Sequence, residues 1–188
     1  MRPAIIIVDM LDGNYGKPLG KEKEEEKIVP VVRDLLKRAR GQNIPVIFAC
    51  DSFLEQDFIF RGRMKPHAIR GTSGTRPLKE LEVEDSDIIL DKRRFSAFFK
   101  TDLDQTLRTF GVDTVAIGGI NTHFCVLATA FDAVCNDFST VILEDASAAF
   151  KRDIHVNCLA PYRNSAIYPI LRVMTSHDFM DEAGKDLP

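Results

Sequence analysis

Six short apolar runs, separated by stretches of helical spacing, constrain this chain more than any other feature. They cover residues 4–9, 45–51, 87–91, 114–117, 140–144 and 171–174. The first, Ala4-Ile5-Ile6-Ile7-Val8, has no polar residue until Asp9. Such runs are near-continuous rather than alternating, which is the pattern of strands buried on both faces of a parallel sheet. Between them, Ile28, Val31, Val32, Leu35 and Leu36 repeat at helical spacing, and Pro30 should start that helix or kink it. Thr101 is placed to cap a helix carrying Leu103, Leu107 and Phe110, and Ser176 to cap a last short one. Residues 122–134 and 154–167 read as two further helices. Strand and helix therefore alternate, and the expected architecture is α/β: a three-layer α/β/α sandwich around a six-stranded parallel sheet.

A chain of 188 residues is long enough for one such domain, spanning 1–188, with 181–188 as a polar tail expected to fray. Two segments lack periodicity. Asp12-Gly13-Asn14-Tyr15-Gly16 is a glycine-rich loop, followed by a charged stretch at 21–27 that reads as a solvated helix face. Residues 52–77 form a longer segment, of the kind that serves as a lid or binding loop.

Charge and cysteine usage exclude several classes. A net charge of −3 gives no basis for binding nucleic acid or an anionic membrane. The first apolar run is far shorter than the roughly 20 residues that span a bilayer, and its flanks lack the layout of a signal peptide. A cytoplasmic location is expected. Cys50, Cys135 and Cys158 show no paired or zinc-like spacing and read as small buried hydrophobes.

Cys125 differs. It follows Gly118-Gly119-Ile120-Asn121-Thr122-His123-Phe124, just beyond the fourth strand. In the first turn of a helix, unpaired N–H groups and the helix dipole would favour its thiolate. In open parallel sheets ligands bind outside the carboxyl ends of the strands, at the switch in strand order. Asp9, Asp51, Lys92 and Cys125 all fall at that edge. Singly each is ordinary; together they make a nucleophilic site. Cys125 is the candidate nucleophile, Asp9 the base and Lys92 the cation that steadies both. Backbone N–H groups of Asn121 and Cys125 are the candidate oxyanion donors.

These residues fall in a wider pattern. Ile7-Val8-Asp9-Met10, then Val46-Ile47-Phe48-Ala49-Cys50-Asp51-Ser52, His67 with Gly71-Thr72-Ser73-Gly74, Lys92-Arg93-Arg94-Phe95-Ser96-Ala97-Phe98, and Gly118 to Val126 follow one another in order. Nearly the whole chain thus resembles the isochorismatase-like cysteine hydrolases, which include nicotinamidases and N-carbamoylsarcosine amidases. The resemblance implies their Rossmann-like fold, a catalytic Asp9–Lys92–Cys125 triad, a cis peptide at Ile120–Asn121 and frequent homo-oligomers. It also implies an apolar pocket wall, for which Phe53, Phe95, Phe98 and Ile120 are candidates. Arg61, Arg63, Arg70 and Arg93 are candidate carboxylate clamps.

One departure matters. Nicotinamidases hold a metal with an aspartate and two histidines. Asp51 and His67 match two of those positions, but Phe53 stands at the third. Two ligands rarely hold a divalent metal, so no metal and no cofactor is expected, and nicotinamide becomes a weaker candidate substrate. His123, where the family commonly has aspartate, reads as a neighbouring or surface histidine, and His155 and His177 carry no signal. The expected activity is hydrolysis of a small amide or ureido compound through a thioester. Vinyl-ether hydrolysis of the isochorismate type is the alternative on the same fold, and a binding protein without turnover is the alternative from another class.

Overall fold

The apolar runs pair as one parallel sheet: β1 (Pro3–Val8), β2 (Val46–Asp51), β3 (Ile88–Lys92), β4 (Thr114–Ile120), β5 (Ser139–Ala148) and β6 (Leu171–Met174). The structure is a computed structural model and describes residues 1–12 and 24–185. The strand order is β3-β2-β1-β4-β5-β6. The chain therefore builds outward from β1 in one direction, then returns and builds from β4 in the other. Ile5 of β1 sits opposite Val46 on one side and Ala116 on the other. The switch in strand order lies between β1 and β4, where such sheets open a crevice.

Side chains alternate across each strand, so the core forms two layers. Ile5, Ile7 and Phe48 meet Val32, Leu35 and Leu36 of α1 (Val29–Gly41) and Phe179 and Met180 of α5 (Ser176–Lys185). Ala4, Ile6 and Ile47 meet Leu103 and Leu107 of α2 (Leu103–Thr109) and Ala130 of α3 (Leu127–Cys135). Pro30 lies in the first turn of α1 rather than at a kink, where its missing N–H costs nothing.

Several boundaries differ from the sequence reading. β4 continues through Gly118-Gly119-Ile120, and β5 runs on to Ala148 past Glu144 and Asp145, with a register shift between Ile117 and Gly119. β3 is an edge strand and exposes Ile89 and Asp91, so it is not buried on both faces. The helix expected over 154–167 is α4 (Arg152–Leu159) followed by a 3-10 turn at Ala160–Tyr162, because Pro161 cannot donate the next helical bond. Asp102, without a side-chain bond, occupies the cap position of α2, while Thr101 Oγ1 accepts the N–H of Leu103 at 3.3 Å, as expected of a capping residue, and donates to the Ala97 carbonyl.

Residues 181–185 are not a frayed tail. They complete α5, where Asp181 pairs with Arg38 at 2.6 Å and Ala183 is buried. Residues 186–188 and 13–23, which hold most of the expected loop and the start of the charged stretch, lie outside the described residues; the rest of that stretch, Glu24–Lys27, is a short helical turn with Lys27 paired to Glu24 at 2.6 Å. Cys50 is buried, but Cys135 is exposed at the end of α3 and Cys158 is half-buried, which corrects their reading as core residues. No described helix is long and apolar enough to cross a membrane.

Candidate active site

Four strand ends supply the polar groups of the crevice. Asp9 follows β1 with φ +52°, a turn that aims its carboxylate back over the sheet edge. Its Oδ1 accepts the backbone N–H of Asp51 at 2.8 Å. Its Oδ2 lies 2.8 Å from Lys92 Nζ. Asp51 ends β2 and Lys92 ends β3; their side chains meet at 2.5 Å. A third contact joins Lys92 Nζ to the Arg94 carbonyl at 3.2 Å. An ammonium has three protons to donate, and these three acceptors match them. Lys92 is fully buried, yet the two carboxylates hold its pKa above the ordinary lysine value against the opposing effect of burial.

Cys125 completes the cluster. Its thiol lies beside the carboxylates: one ligand atom each from Asp9, Asp51 and Cys125 lie within 4.8 Å of one another. The local structure is not the α-helical first turn expected from the sequence. Residues Thr122–Val126 form one π-helical turn, and α3 starts only at Leu127. The Ile120–Asn121 peptide is cis.

The expected bias toward thiolate is also corrected. Burial first, and then the charge of Asp9, push the Cys125 thiol well above its ordinary pKa, with Lys92 pulling the other way. Two carboxylates facing one ammonium already leave the cluster negative when both are ionised. A thiolate would add to that charge, so the resting side chain is the thiol. Burial, followed by the Asp9 charge, also pushes the Asp51 carboxyl up to about 7.

The crevice is a cavity of about 200 Å³ lined by Asp9, Asp51, Phe53, Met64, His67, Phe95, Ile120, Asn121, Phe124 and Cys125. Phe53, Phe95 and Ile120 stand where the resemblance placed them. Phe98 does not: it packs in the core with its ring 5.9 Å from Phe138. Met64 and Phe124 were missed. Phe124 had a signal in its position beside Cys125, whereas Met64 had none. Phe95 and Phe124 stack at 5.4 Å to make one wall.

None of the four candidate arginine clamps lines this cavity. Arg93 pairs with Asp57 at 2.5 Å, Arg70 donates to Ser52 Oγ, Arg61 lies over the Phe58 ring and Arg63 is exposed. His123 packs tilted against Phe124 with ring centroids 4.2 Å apart, and burial lowers its pKa. His155, which had no signal in the sequence, bonds Thr122 Oγ1 at 2.8 Å and so ties α4 to the π-helical turn.

The residues present do not fit the metal set of nicotinamidases. His67 turns Nδ1 to the Lys65 carbonyl and rests edge-on against Phe53 and Phe60. Phe53 offers no ligand atom. Asp51 is bonded to Lys92, whose ammonium already sits as the cation among these carboxylates.

Comparison with known proteins identifies the family. The isochorismatase domain matches residues 3–175, and the chain belongs to this family of hydrolases. It is 30% identical over 190 residues, covering 95% of each chain, to a protein of Arabidopsis thaliana named "probable inactive nicotinamidase". An isochorismatase-like hydrolase from Alkaliphilus metalliredigens superposes with a TM-score of 0.83 at 29% identity, covering 97% of this chain and 100% of the other. N-carbamoylsarcosine amidase from Thermoplasma acidophilum superposes with a TM-score of 0.80 at 30% identity, covering 94% and 97%.

Proposed function

We propose that this protein is a cysteine amidohydrolase that cleaves the C–N bond of a small amide or ureido compound. The observation that carries the reading is the buried Cys125 thiol within 4.8 Å of the Asp9 carboxylate, which Lys92 holds at 2.8 Å, beside a cavity. Sγ attacks the carbonyl carbon while Asp9 takes the thiol proton, so the transfer neutralises a carboxylate as it creates the nucleophile. Because the proton stays within the cluster, a raised thiol pKa does not block the step. The carbonyl oxygen becomes an oxyanion facing the backbone N–H groups of Asn121 and Cys125. Asp9 then returns its proton to the leaving nitrogen, the C–N bond breaks, and ammonia or an amine departs. Water adds to the thioester carbonyl as Asp9 takes its proton, the C–S bond breaks, and the proton returns to sulfur. The sum is amide plus water giving acid plus amine. Lys92 stays an ammonium throughout, 2.8 Å from the Asp9 carboxylate.

The plant relative's name, "probable inactive nicotinamidase", and the lost metal ligand at Phe53 both argue against nicotinamide as the substrate. The test is ammonia release from a panel of aliphatic amides, aromatic amides and ureido compounds, run beside Cys125→Ala. Release by the wild type should fall by at least about a thousandfold in the variant. Equal release by the two proteins would remove Cys125 from the mechanism.

A further inference from the structure

Among the described residues, the carboxylates are the only Asp, Glu, Lys or Arg groups that line the cavity. Its carboxylates, Asp9 and Asp51, belong to the cluster described above, and the single ammonium beside them has all three protons taken by Asp9, Asp51 and the Arg94 carbonyl. Among the described residues no other lysine or arginine lines the cavity. The guanidinium groups of Arg93 and Arg94, which follow Lys92, pair with Asp57, and Arg70 donates to Ser52. Besides His67, whose Nδ1 is turned to the Lys65 carbonyl, Asn121 and Cys125, the rest of the lining is apolar, with Phe53 and Met64 on the loop side, Ile120 at the end of β4, and the stacked pair Phe95 and Phe124. Phe124 holds its ring 45% exposed, with the ring of His123 packed beside it.

A carboxylate moved from water into such a space loses its hydration and meets no lysine or arginine of the described residues in return. It also faces a cluster that is already negative when both aspartates are ionised. An uncharged molecule with an apolar body pays neither penalty and covers the aromatic walls. Resting on the hydrolase reading above, we propose that the cavity selects uncharged amides or ureas bearing a flat apolar group, and rejects ureido acids and other substrates that carry a carboxylate. Product release follows from the same charge pattern. Hydrolysis turns the neutral carbonyl group into a carboxylate within reach of Asp9 and Asp51, so the acid formed is repelled from the site that made it.

Matched pairs test this without relying on turnover. Binding to Cys125→Ala is measured by calorimetry for benzamide against 4-carbamoylbenzoate, and for phenylurea against 4-ureidobenzoate. Hydrolysis of the same four compounds by the wild type is measured in parallel. The neutral member of each pair should bind at least about tenfold tighter. Phe124→Arg and Met64→Arg, each adding a cation to the wall, should narrow or reverse that preference. Tighter binding of the neutral compounds without wild-type hydrolysis would sustain the selectivity and sink the hydrolase reading. Equal or tighter binding of the acids would overturn the selectivity whatever the turnover, and so would binding of neither member of the pairs.

Discussion

A buried lysine keeps its charge only if its protons find acceptors, and Lys92 finds three. That arrangement places Asp51 in a different role from the one its position in the family suggests: it is a counter-ion. Burial first and Asp9 second raise its carboxyl to about 7, with Lys92 opposing. An unfolded aspartate titrates near 4. Asp51 therefore favours the folded state fully below about pH 4, and loses that contribution as pH rises through about 7. Asp51→Asn keeps an oxygen for Lys92 but cannot titrate. Measured by urea denaturation, the variant should gain on the wild type between pH 4 and 8, by on the order of 1–3 kcal/mol. A difference that stays flat across that range would mean the carboxyl is not raised. The same change removes a negative charge near Cys125 and should speed its alkylation by iodoacetamide at a given pH.

At the scale of elements, the strand end before Cys125 is fixed by contact with its neighbour. Gly119 has φ +114°, and a Cβ there would lie 2.1 Å from the Val8 carbonyl oxygen. β1 and β4 can approach at this point only because the side chain is absent. Gly119→Ala should cost at least about 3 kcal/mol in urea denaturation; a loss under about 1 kcal/mol would mean the strands can separate there. The sequence carried the strands well, because a strand buried between two others must be apolar throughout. It carried β5 poorly, because Glu144 and Asp145 interrupt the run although the backbone continues to pair as far as Ala148. The Gly118-Gly119 pair read as the end of a strand, whereas it allows the strand to continue. The polar cluster was legible since Asp9, Asp51 and Lys92 end or follow apolar runs, which fixes their place before any contact is known. The cavity wall was not. Phe98 and Phe124 look alike in sequence, and only the π-helical turn and the path after Lys92 decide that Phe124 faces the cavity and Phe98 the core.

For the molecule as a whole, the two parts of the site differ in how they are held. Asp9, Asp51, Lys92 and Cys125 come from the ends of β1, β2 and β3 and the turn after β4, so they are brought together only when the central sheet is assembled. Phe53, Met64 and His67 belong instead to the segment between β2 and β3. That segment is pinned by short 3-10 turns and the isolated bridges Leu11–Pro77 and Phe53–Ile69 rather than by a ladder. Elements with fewer ordered backbone bonds open at lower free energy than core strands. Urea below the unfolding transition should therefore raise KM for an apolar amide several-fold while kcat changes little, with kcat falling only as the sheet unfolds. Steady-state kinetics in stepped urea, followed beside far-UV circular dichroism, would check the order. If kcat fell first and KM held, the loop wall would be the firmer part and the polar cluster the part that opens.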